Sequence, residues 1–212
     1  MANILFDLDG TLTDPADGIT ACIQHALRGL GRSVPSREEL LSFIGPPLHV
    51  SFRDLLLDDA LTDDAVALYR ERFADVGLFE NRLYAGIPSL LETLQQDGHT
   101  LYVATSKPHV YAERIIEHFD LSRFFSAVHG PEFDGARSDK AELIAHIVAC
   151  ERLASSDTWM VGDRAFDIAG ARANAIRSVG VLWGYGSHEE LSDAGATELV
   201  DRPSRLPAIF VD

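Results

Sequence analysis

Short apolar segments alternate with longer amphipathic segments over most of the chain. Each apolar segment is four to seven residues long and is bounded by polar or turn-forming residues, a pattern that predicts buried β-strands. The predicted strands are residues 4–8, 100–105, 126–129, 158–162 and 177–183.

The amphipathic segments between these strands have apolar residues at helical spacing. The predicted helices are residues 86–98, 107–120, 138–153 and 164–175. Because strands and helices alternate from residue 84 onward, we expect an α/β fold, a Rossmann-like parallel sheet with helices on both faces. In such sheets, ligands bind at the carboxyl ends of the strands.

A stretch without a good strand separates the first predicted strand from the second. Its predicted helices are residues 16–31, 36–45, 47–57 and 63–77. Ser36 and Glu39 form a capping-box pattern at the start of the second of these helices. We therefore expect an α/β catalytic core of residues 1–14 and 84–212, with residues 15–83 as a helical cap domain inserted after the first strand.

Composition limits the classes of protein to which the chain can belong. Its 212 residues, 46% of them hydrophobic, are enough for one substantial core with a small insertion. There is no run of 18 apolar residues and no secretory signal, so we expect a cytoplasmic protein with no membrane partner. A net charge of −15 at pH 7 argues against a nucleic-acid partner, which requires a basic face. An anionic substrate must be attracted locally, as a bound divalent cation would do.

The thiols and imidazoles show no spacing that is typical of metal ligands. Cys22 and Cys150 are far apart, which favours reduced thiols in a cytoplasmic protein. The eight histidines, among them His129, also lack ligand spacing, and we predict no role for them.

Acidic residues lie where the first predicted strand ends. Asp7 and Asp9 are two positions apart, and such residues face the same side of an extended backbone. Because two adjacent carboxylates repel each other, they require a positively charged partner.

Other predicted strands are also followed by residues that can carry chemistry. Thr105 and Ser106 follow one strand, and Asp163 and Asp167 follow another. Lys140 lies at the start of a helix, where a cation opposes the helix dipole, which indicates a different role. The topology predicts that all of these residues lie at one edge of the sheet. Four converging carboxylates require a metal ion, and oxygen ligands favour Mg²⁺.

This set of residues suits the transfer of a phosphoryl group. Asp7 can attack phosphorus to give an aspartyl-phosphate, and Asp9 can protonate the leaving oxygen and then deprotonate water. Mg²⁺, Lys140 and Thr105 would offset the charge on the equatorial oxygens.

Simpler structural roles remain open for several of the same residues. Asp163 and Asp167 could be acidic residues that match the dipole at a helix start. Thr105 and Ser106 could be helix-capping hydroxyls. Lys107 fits a solvated position at a helix start as well as it fits an active-site position.

The segments DLDGTLTD, TSKP, SDK and GDRAFD together resemble the four motifs of the haloacid dehalogenase-like superfamily. The layout is similar to that of the phosphoglycolate phosphatase-like branch, which carries a helical cap after the first motif and includes 5′-nucleotidases. The resemblance implies that Asp7 is the nucleophile and Asp9 the general acid and base. Asp163, with Asp7 and the backbone carbonyl of Asp9, would hold Mg²⁺, and Asp167 would support this site.

The resemblance also implies which residues bind the substrate. Thr105 would bind phosphate through its hydroxyl, and Lys140 would neutralise it. Many relatives have Asn at the position of Ser106, where a backbone N–H could still donate a hydrogen bond to phosphate. The segment FIGPPL resembles the substrate-facing loop of the branch, so Gly45 is a candidate, although it could be only a break between helices. Arg53 could meet a substrate anion or lie on the surface.

The residues narrow the choice among the reactions of the family. The family's dehalogenases lack the second acid, which Asp9 provides here, and residues 15–83 contain no lysine for the Schiff base of the phosphonatases. We therefore expect a Mg²⁺-dependent phosphatase that acts on a small soluble phosphate ester, either phosphoglycolate-like or a nucleoside 5′-monophosphate. A β-phosphoglucomutase-like enzyme is the alternative, followed by a phosphometabolite-binding protein without turnover. We expect a monomer, with a dimer as the other option.

Overall fold

The computed structural model describes residues 1–133 and 135–210. The chain divides into two compact units, one made of Met1–Thr13 and Leu83–Asp212 and the other of Asp14–Arg82. Within the described residues, none of the helices combines the length and apolar character that crossing a membrane requires.

The first unit is built on a six-stranded sheet with the strand order β5-β4-β1-β6-β7-β8. Its strands are β1 (Asn3–Phe6), β4 (Thr100–Ala104), β5 (Ala127–His129), β6 (Thr158–Gly162), β7 (Arg177–Val181) and β8 (Glu198–Val200). All neighbouring strands are parallel. A separate two-stranded sheet is formed by β2 (Thr13–Asp14) and β3 (Arg82–Leu83). The predicted α/β fold class is therefore confirmed.

Helices follow the strands of the large sheet. They are α4 (Ile87–Gln96), α5 (His109–His118), α6 (Lys140–Cys150), α7 (Ala165–Ala173) and α8 (His188–Ala194), with 3₁₀ helices at Ser122–Phe124, Ser155–Asp157 and Pro203–Ile209. Each of the four helices predicted for this unit is present.

The core of this unit is centred on β1. Leu5 pairs in register with Tyr102 of β4 and Met160 of β6, and these side chains are buried with Leu143 and Ile147 of α6. Because β1 is buried between two parallel neighbours, residues that follow it emerge at the middle of the sheet edge, where ligands bind in this fold.

The second unit is helical. It contains α1 (Ala16–Gly29), α2 (Leu48–Leu56) and α3 (Asp59–Arg72), with a 3₁₀ helix at Glu39–Phe43 and a π-helical turn at Phe73–Gly77. Its interior includes a chain of aromatic contacts, in which the ring of Phe52 lies 5.9 Å from that of Phe43 and 6.2 Å from that of Tyr69. These contacts hold α2 against α3 within the unit.

The helix predicted over residues 36–45 is shorter in the structure. The capping box is present, because Glu39 N donates to Ser36 Oγ at 3.3 Å and Ser36 N donates to Glu39 Oε2 at 2.8 Å. The helix that follows is only a 3₁₀ helix that ends at Phe43. Gly45 has φ +110°, and the two prolines after it lack the N–H groups that a continuing helix needs.

Candidate functional site

The turn after β1 sets the positions of the first acidic residues. Leu8 O accepts from the backbone N–H groups of Leu12 and Thr13, both at 2.9 Å. Gly10 has φ +88°, and a Cβ at this position would lie 2.2 Å from Asp163 Oδ2. Glycine is therefore required here, both for the turn and for the close approach of Asp163.

Lys140 joins two of the predicted carboxylates. Its Nζ lies 2.9 Å from Asp7 Oδ1 and 2.8 Å from Asp167 Oδ1, and it donates to Ala104 O at 2.9 Å. Burial alone would lower the pKa of Lys140, but the charges of Asp167 and Asp7 outweigh this and raise the pKa above its ordinary value. The two acids therefore favour the charged form of Lys140.

Asp163 is held by backbone and hydroxyl donors rather than by a lysine. Tyr185 N donates to its Oδ2 at 2.8 Å, and Thr11 Oγ1 donates to its Oδ1 at 3.4 Å. Gly184 allows this packing, because a Cβ there would lie 2.4 Å from Asp163 Cβ. Burial, followed by the charges of Asp7 and Asp167, raises the pKa of Asp163 well above its ordinary value.

Asp167 belongs to the start of α7. Its Oδ2 accepts from Arg164 N at 3.2 Å, which satisfies an N–H group at the helix start. Burial raises the pKa of Asp167 to about 7, although Lys140 opposes the shift. Asp167 therefore satisfies the helix start, as the simpler interpretation expects, and it also contacts Lys140. Its support of a metal site stays a prediction.

The arrangement of acidic oxygens fits a hard divalent cation. Carboxylate oxygens of Asp7, Asp163 and Asp167 lie within 4.8 Å of one another, and all three residues are buried. With Asp9, four carboxylates face two lysines, and among the described residues the buried Asp9 Oδ1 has no hydrogen-bond partner. Oxygen-only donors with excess negative charge are the ligands that Mg²⁺ prefers, so the residues present fit this ion.

The second motif lies beside these acids. Thr105 is buried at the end of β4, where its N donates to His129 O at 3.0 Å and its Oγ1 accepts from Lys107 N at 3.2 Å. Ser106 is half-buried in the same turn. This contact belongs to a turn and is not a helix cap, because α5 begins at His109 after Pro108 and has no side-chain cap hydrogen bond. The helix-capping role considered for Thr105 and Ser106 is therefore wrong, and the Thr105 hydroxyl lies in the same unit as the acids.

Lys107 is the functional candidate that the sequence left undecided. Its Nζ lies 2.7 Å from Asp9 Oδ2, with side-chain exposures of 6% and 11%. Burial raises the pKa of Asp9 above its ordinary value, and the Lys107 charge opposes the shift. The only two lysines of the chain thus each contact one acid of the first motif. Their rarity beside 16 arginines is a sequence signal that could have pointed to both.

Replacement of Lys107 by methionine is expected to lower kcat at least about tenfold, because Asp9 loses the contact that orients it. The loss should stay below the roughly 10²–10⁴-fold that removal of a general acid–base costs. Steady-state assays of Lys107→Met, Lys107→Arg and Asp9→Asn would measure this. The arginine variant should recover part of the rate, and a methionine variant with wild-type kcat would exclude the role.

Gly45 and Arg53, the two substrate-binding candidates of the helical unit, lie at or near α2. Gly45 is half-buried between the 3₁₀ helix and α2. Arg53 is half-exposed on α2, with its Nε 3.6 Å from Asp54 Oδ1. Their assignment to substrate binding stays a prediction.

The fold and the strand-end acids together define an α/β protein with a buried acidic site at the carboxyl ends of its parallel strands. The family model described as haloacid dehalogenase-like hydrolase matches residues 4–181. A 5′-nucleotidase of Pseudomonas aeruginosa is 52% identical over 190 residues, which cover 89% of this chain and 86% of the relative. The chain therefore belongs to the haloacid dehalogenase-like hydrolases.

Two further comparisons bear on the activity. A protein named tyrosine-protein kinase PtkA from Mycobacterium tuberculosis is 38% identical over 194 residues, which cover 92% of this chain but only 66% of that protein. The crystal structure of a predicted phosphatase from Clostridium acetobutylicum superposes with a TM-score of 0.95 at 41% identity and covers 99% of this chain and 98% of that one. The predicted family is confirmed, and so is the prediction of an enzyme of the phosphatase class.

Proposed function

We propose that the protein is a Mg²⁺-dependent phosphomonoester hydrolase that acts on small phosphate esters through an aspartyl-phosphate intermediate. The observation that carries the proposal is the buried contact of 2.9 Å between Asp7 and Lys140. This contact supports the proposal because Asp7, the proposed nucleophile, lies next to a cation that could neutralise phosphate. The free thiols Cys22 and Cys150 are consistent with the cytoplasm as its compartment, and we propose a monomer.

The metal would be held by the acids that follow two strands, β1 and β6. Asp7, Asp163 and the backbone carbonyl of Asp9 would bind Mg²⁺, and Asp167 would support the site. When bound, Mg²⁺ supplies positive charge that offsets the negative charge on the phosphoryl oxygens.

In the first half of the reaction, an Asp7 carboxylate oxygen forms a bond to phosphorus while the bond from phosphorus to the ester oxygen breaks. Asp9 gives its proton to the departing oxygen, and burial favours the protonated form of Asp9 because it raises its pKa. Lys140 and Thr105 stabilise the charge on the phosphoryl oxygens.

In the second half, water attacks phosphorus and the bond to Asp7 breaks, which releases inorganic phosphate. Asp9 takes the proton from the attacking water and so returns to its starting state. Lys107 keeps the Asp9 carboxylate in one orientation during both proton transfers, since its Nζ contacts Asp9 Oδ2.

For the substrate, we propose a nucleoside 5′-monophosphate, with phosphoglycolate as the second choice. The support is the relative named 5′-nucleotidase, at 52% identity. We further propose that the helical unit is the cap domain, in which Gly45 and Arg53 contribute to substrate choice.

A panel of phosphate esters tests the proposal. With Mg²⁺, the purified protein should release phosphate from AMP or UMP at least about tenfold faster, as kcat/KM, than from phosphoglycolate or sugar phosphates. EDTA should abolish release, and Mg²⁺ should restore it. If no small ester yields EDTA-sensitive phosphate, the proposed function is wrong.

The final phosphate acceptor distinguishes the alternatives. The relative named tyrosine-protein kinase makes transfer to a tyrosine hydroxyl the second candidate, and a phosphomutase would return phosphate to a sugar. Tracing labelled phosphate from the phosphorylated enzyme should find it as inorganic phosphate. Recovery on a tyrosine-containing protein or a hexose bisphosphate would favour one of the alternatives, and tight binding without turnover would favour a sensor.

A further inference from the structure

A second group of metal-binding side chains lies outside the acidic site. His129 is the last residue of β5, and His146 and Cys150 lie one turn apart on α6. One ligand atom from each of these three residues, here called the His–Cys cluster, lies within 4.8 Å of the others. The rings of His129 and His146 have centroids 6.2 Å apart.

A fourth donor stands next to the His–Cys cluster. Glu151 Oε1 lies 3.1 Å from His129 Nε2 and 3.8 Å from Cys150 Sγ. Two imidazoles, a thiol and a carboxylate thus converge from one strand end and one helix. This donor set differs in kind from the oxygen-only set of the acidic site.

The chemistry of these side chains suits a transition metal. Imidazole nitrogen is a common metal ligand, and a metal ion displaces the proton of a cysteine thiol when it binds.

We propose that His129, His146 and Cys150, with Glu151, form a binding site for Zn²⁺ or a chemically similar transition-metal ion. Nitrogen and sulfur donors together select this class over Mg²⁺. Ideal bond lengths put tetrahedral donors about 3.3–3.6 Å apart. The exposed side chains of His146 and Cys150 can make that adjustment by rotating.

A metal ion at this site would link β5, an edge strand, to α6, the helix that begins at Lys140. β5 lies at one end of the sheet, where it pairs with β4, and α6 begins at Lys140. The backbone carbonyl of His129 also accepts from Thr105 N at 3.0 Å. Metal binding would therefore stabilise the end of β5, whose His129 carbonyl accepts the hydrogen bond from the Thr105 turn.

Cobalt spectroscopy tests the proposal independently of phosphatase activity. Co²⁺ is titrated into the reduced protein with Mg²⁺ in excess, so that Mg²⁺ competes at the acidic site. We expect the absorption of a cobalt–thiolate bond to saturate at one Co²⁺ per chain and to disappear when Zn²⁺ is added. The Cys150→Ser variant should lose this absorption, and His146→Ala should weaken Co²⁺ binding by more than about tenfold.

The other cysteine provides the matched control. Cys22→Ala should keep the cobalt–thiolate absorption, because Cys22 is fully buried in the helical unit. Because Cys150 and His146 are exposed, their variants should fold, which circular dichroism would verify. The proposal is overturned if the wild type shows no thiolate absorption, if Cys150→Ser keeps it, or if His146→Ala binds Co²⁺ as tightly as the wild type.

Discussion

Replacement of Asp7 by asparagine is expected to reduce phosphate release by at least about 10⁴-fold, because an amide cannot attack phosphorus. Lys140 Nζ lies 2.9 Å from Asp7 Oδ1, and the carbonyl oxygen of asparagine can keep this contact. The loss would therefore be chemical and not structural. The variant should also be at least as stable as the wild type, since the Asp7 charge raises the pKa of its neighbour Asp163.

Rapid quenching followed by mass spectrometry measures the phosphorylation of Asp7 directly, which is the step that the variant should lack. The wild type should gain one phosphoryl group on the peptide that contains residues 4–14, and Asp7→Asn should gain none. Asp157→Asn is the matched control, since it makes the same chemical change at an exposed position of the same unit. A phosphorylated Asp7→Asn variant, or one with full activity, would show that the nucleophile is another residue.

The sequence predicts the central strands well because they are buried on both faces. β6 runs over the predicted residues 158–162, β4 and β7 lie within their predicted segments, and β1 begins one residue before its segment, at Asn3. β5 also lies within its predicted segment, although it is a half-buried edge strand. β8, at Glu198–Val200, was missed. It is a three-residue strand at the edge of the sheet with only Val200 fully buried, so its composition does not differ from that of a loop.

Topology explains why the acidic site could be anticipated from scattered segments. Parallel strands bring their carboxyl ends to one edge, and the structure brings Asp7, Asp163, Asp167 and Lys140 together there. The partners that orient these residues were not predicted. Tyr185, which donates to Asp163 at 2.8 Å, lies in a loop after β7 whose only signal is a pair of flanking glycines.

The His–Cys cluster shows a different limit of sequence reasoning. His146 and Cys150 are four residues apart on one helix face, a spacing that could have been recognised. The third member, His129, comes from another element and meets them only because β5 and α6 are packed in the same unit. Contacts of this kind depend on tertiary packing, which local periodicity does not encode.

Replacement of Lys140 by methionine is expected to destabilise the metal-free protein by about 3–5 kcal/mol at pH 8, because two buried carboxylates lose their shared partner. Lys140 contacts Asp7 and Asp167, whose side chains are 4% and 0% exposed. The loss should be smaller at pH 6. Burial already raises the pKa of Asp167 to about 7. Because the folded protein then binds this proton more tightly than the unfolded chain does, the folded protein becomes less stable as the pH rises toward 7.

The same variant should lose at least about 10²-fold in kcat/KM, because it removes the cation that we propose neutralises phosphate. A second substitution separates the two effects. In Lys140→Met/Asp167→Asn, Asp7 is the one charged carboxylate that remains of the two that Lys140 contacts. Much of the stability should therefore return while activity stays low. If the double variant recovers stability without activity, Lys140 acts on the substrate and does more than balance the charges of Asp7 and Asp167.

Urea unfolding at pH 6 and pH 8, with EDTA present, measures the stability of both variants, and the phosphatase assay measures their activity with Mg²⁺. Arg172→Met is the matched control, because it removes an exposed cation from α7 in the same unit. If Lys140→Met unfolds like the wild type at both pH values, the two acids do not depend on Lys140 for their charge balance. If the double variant regains wild-type kcat/KM, the ammonium does not contact phosphate, and the assignment of Lys140 to the substrate is wrong.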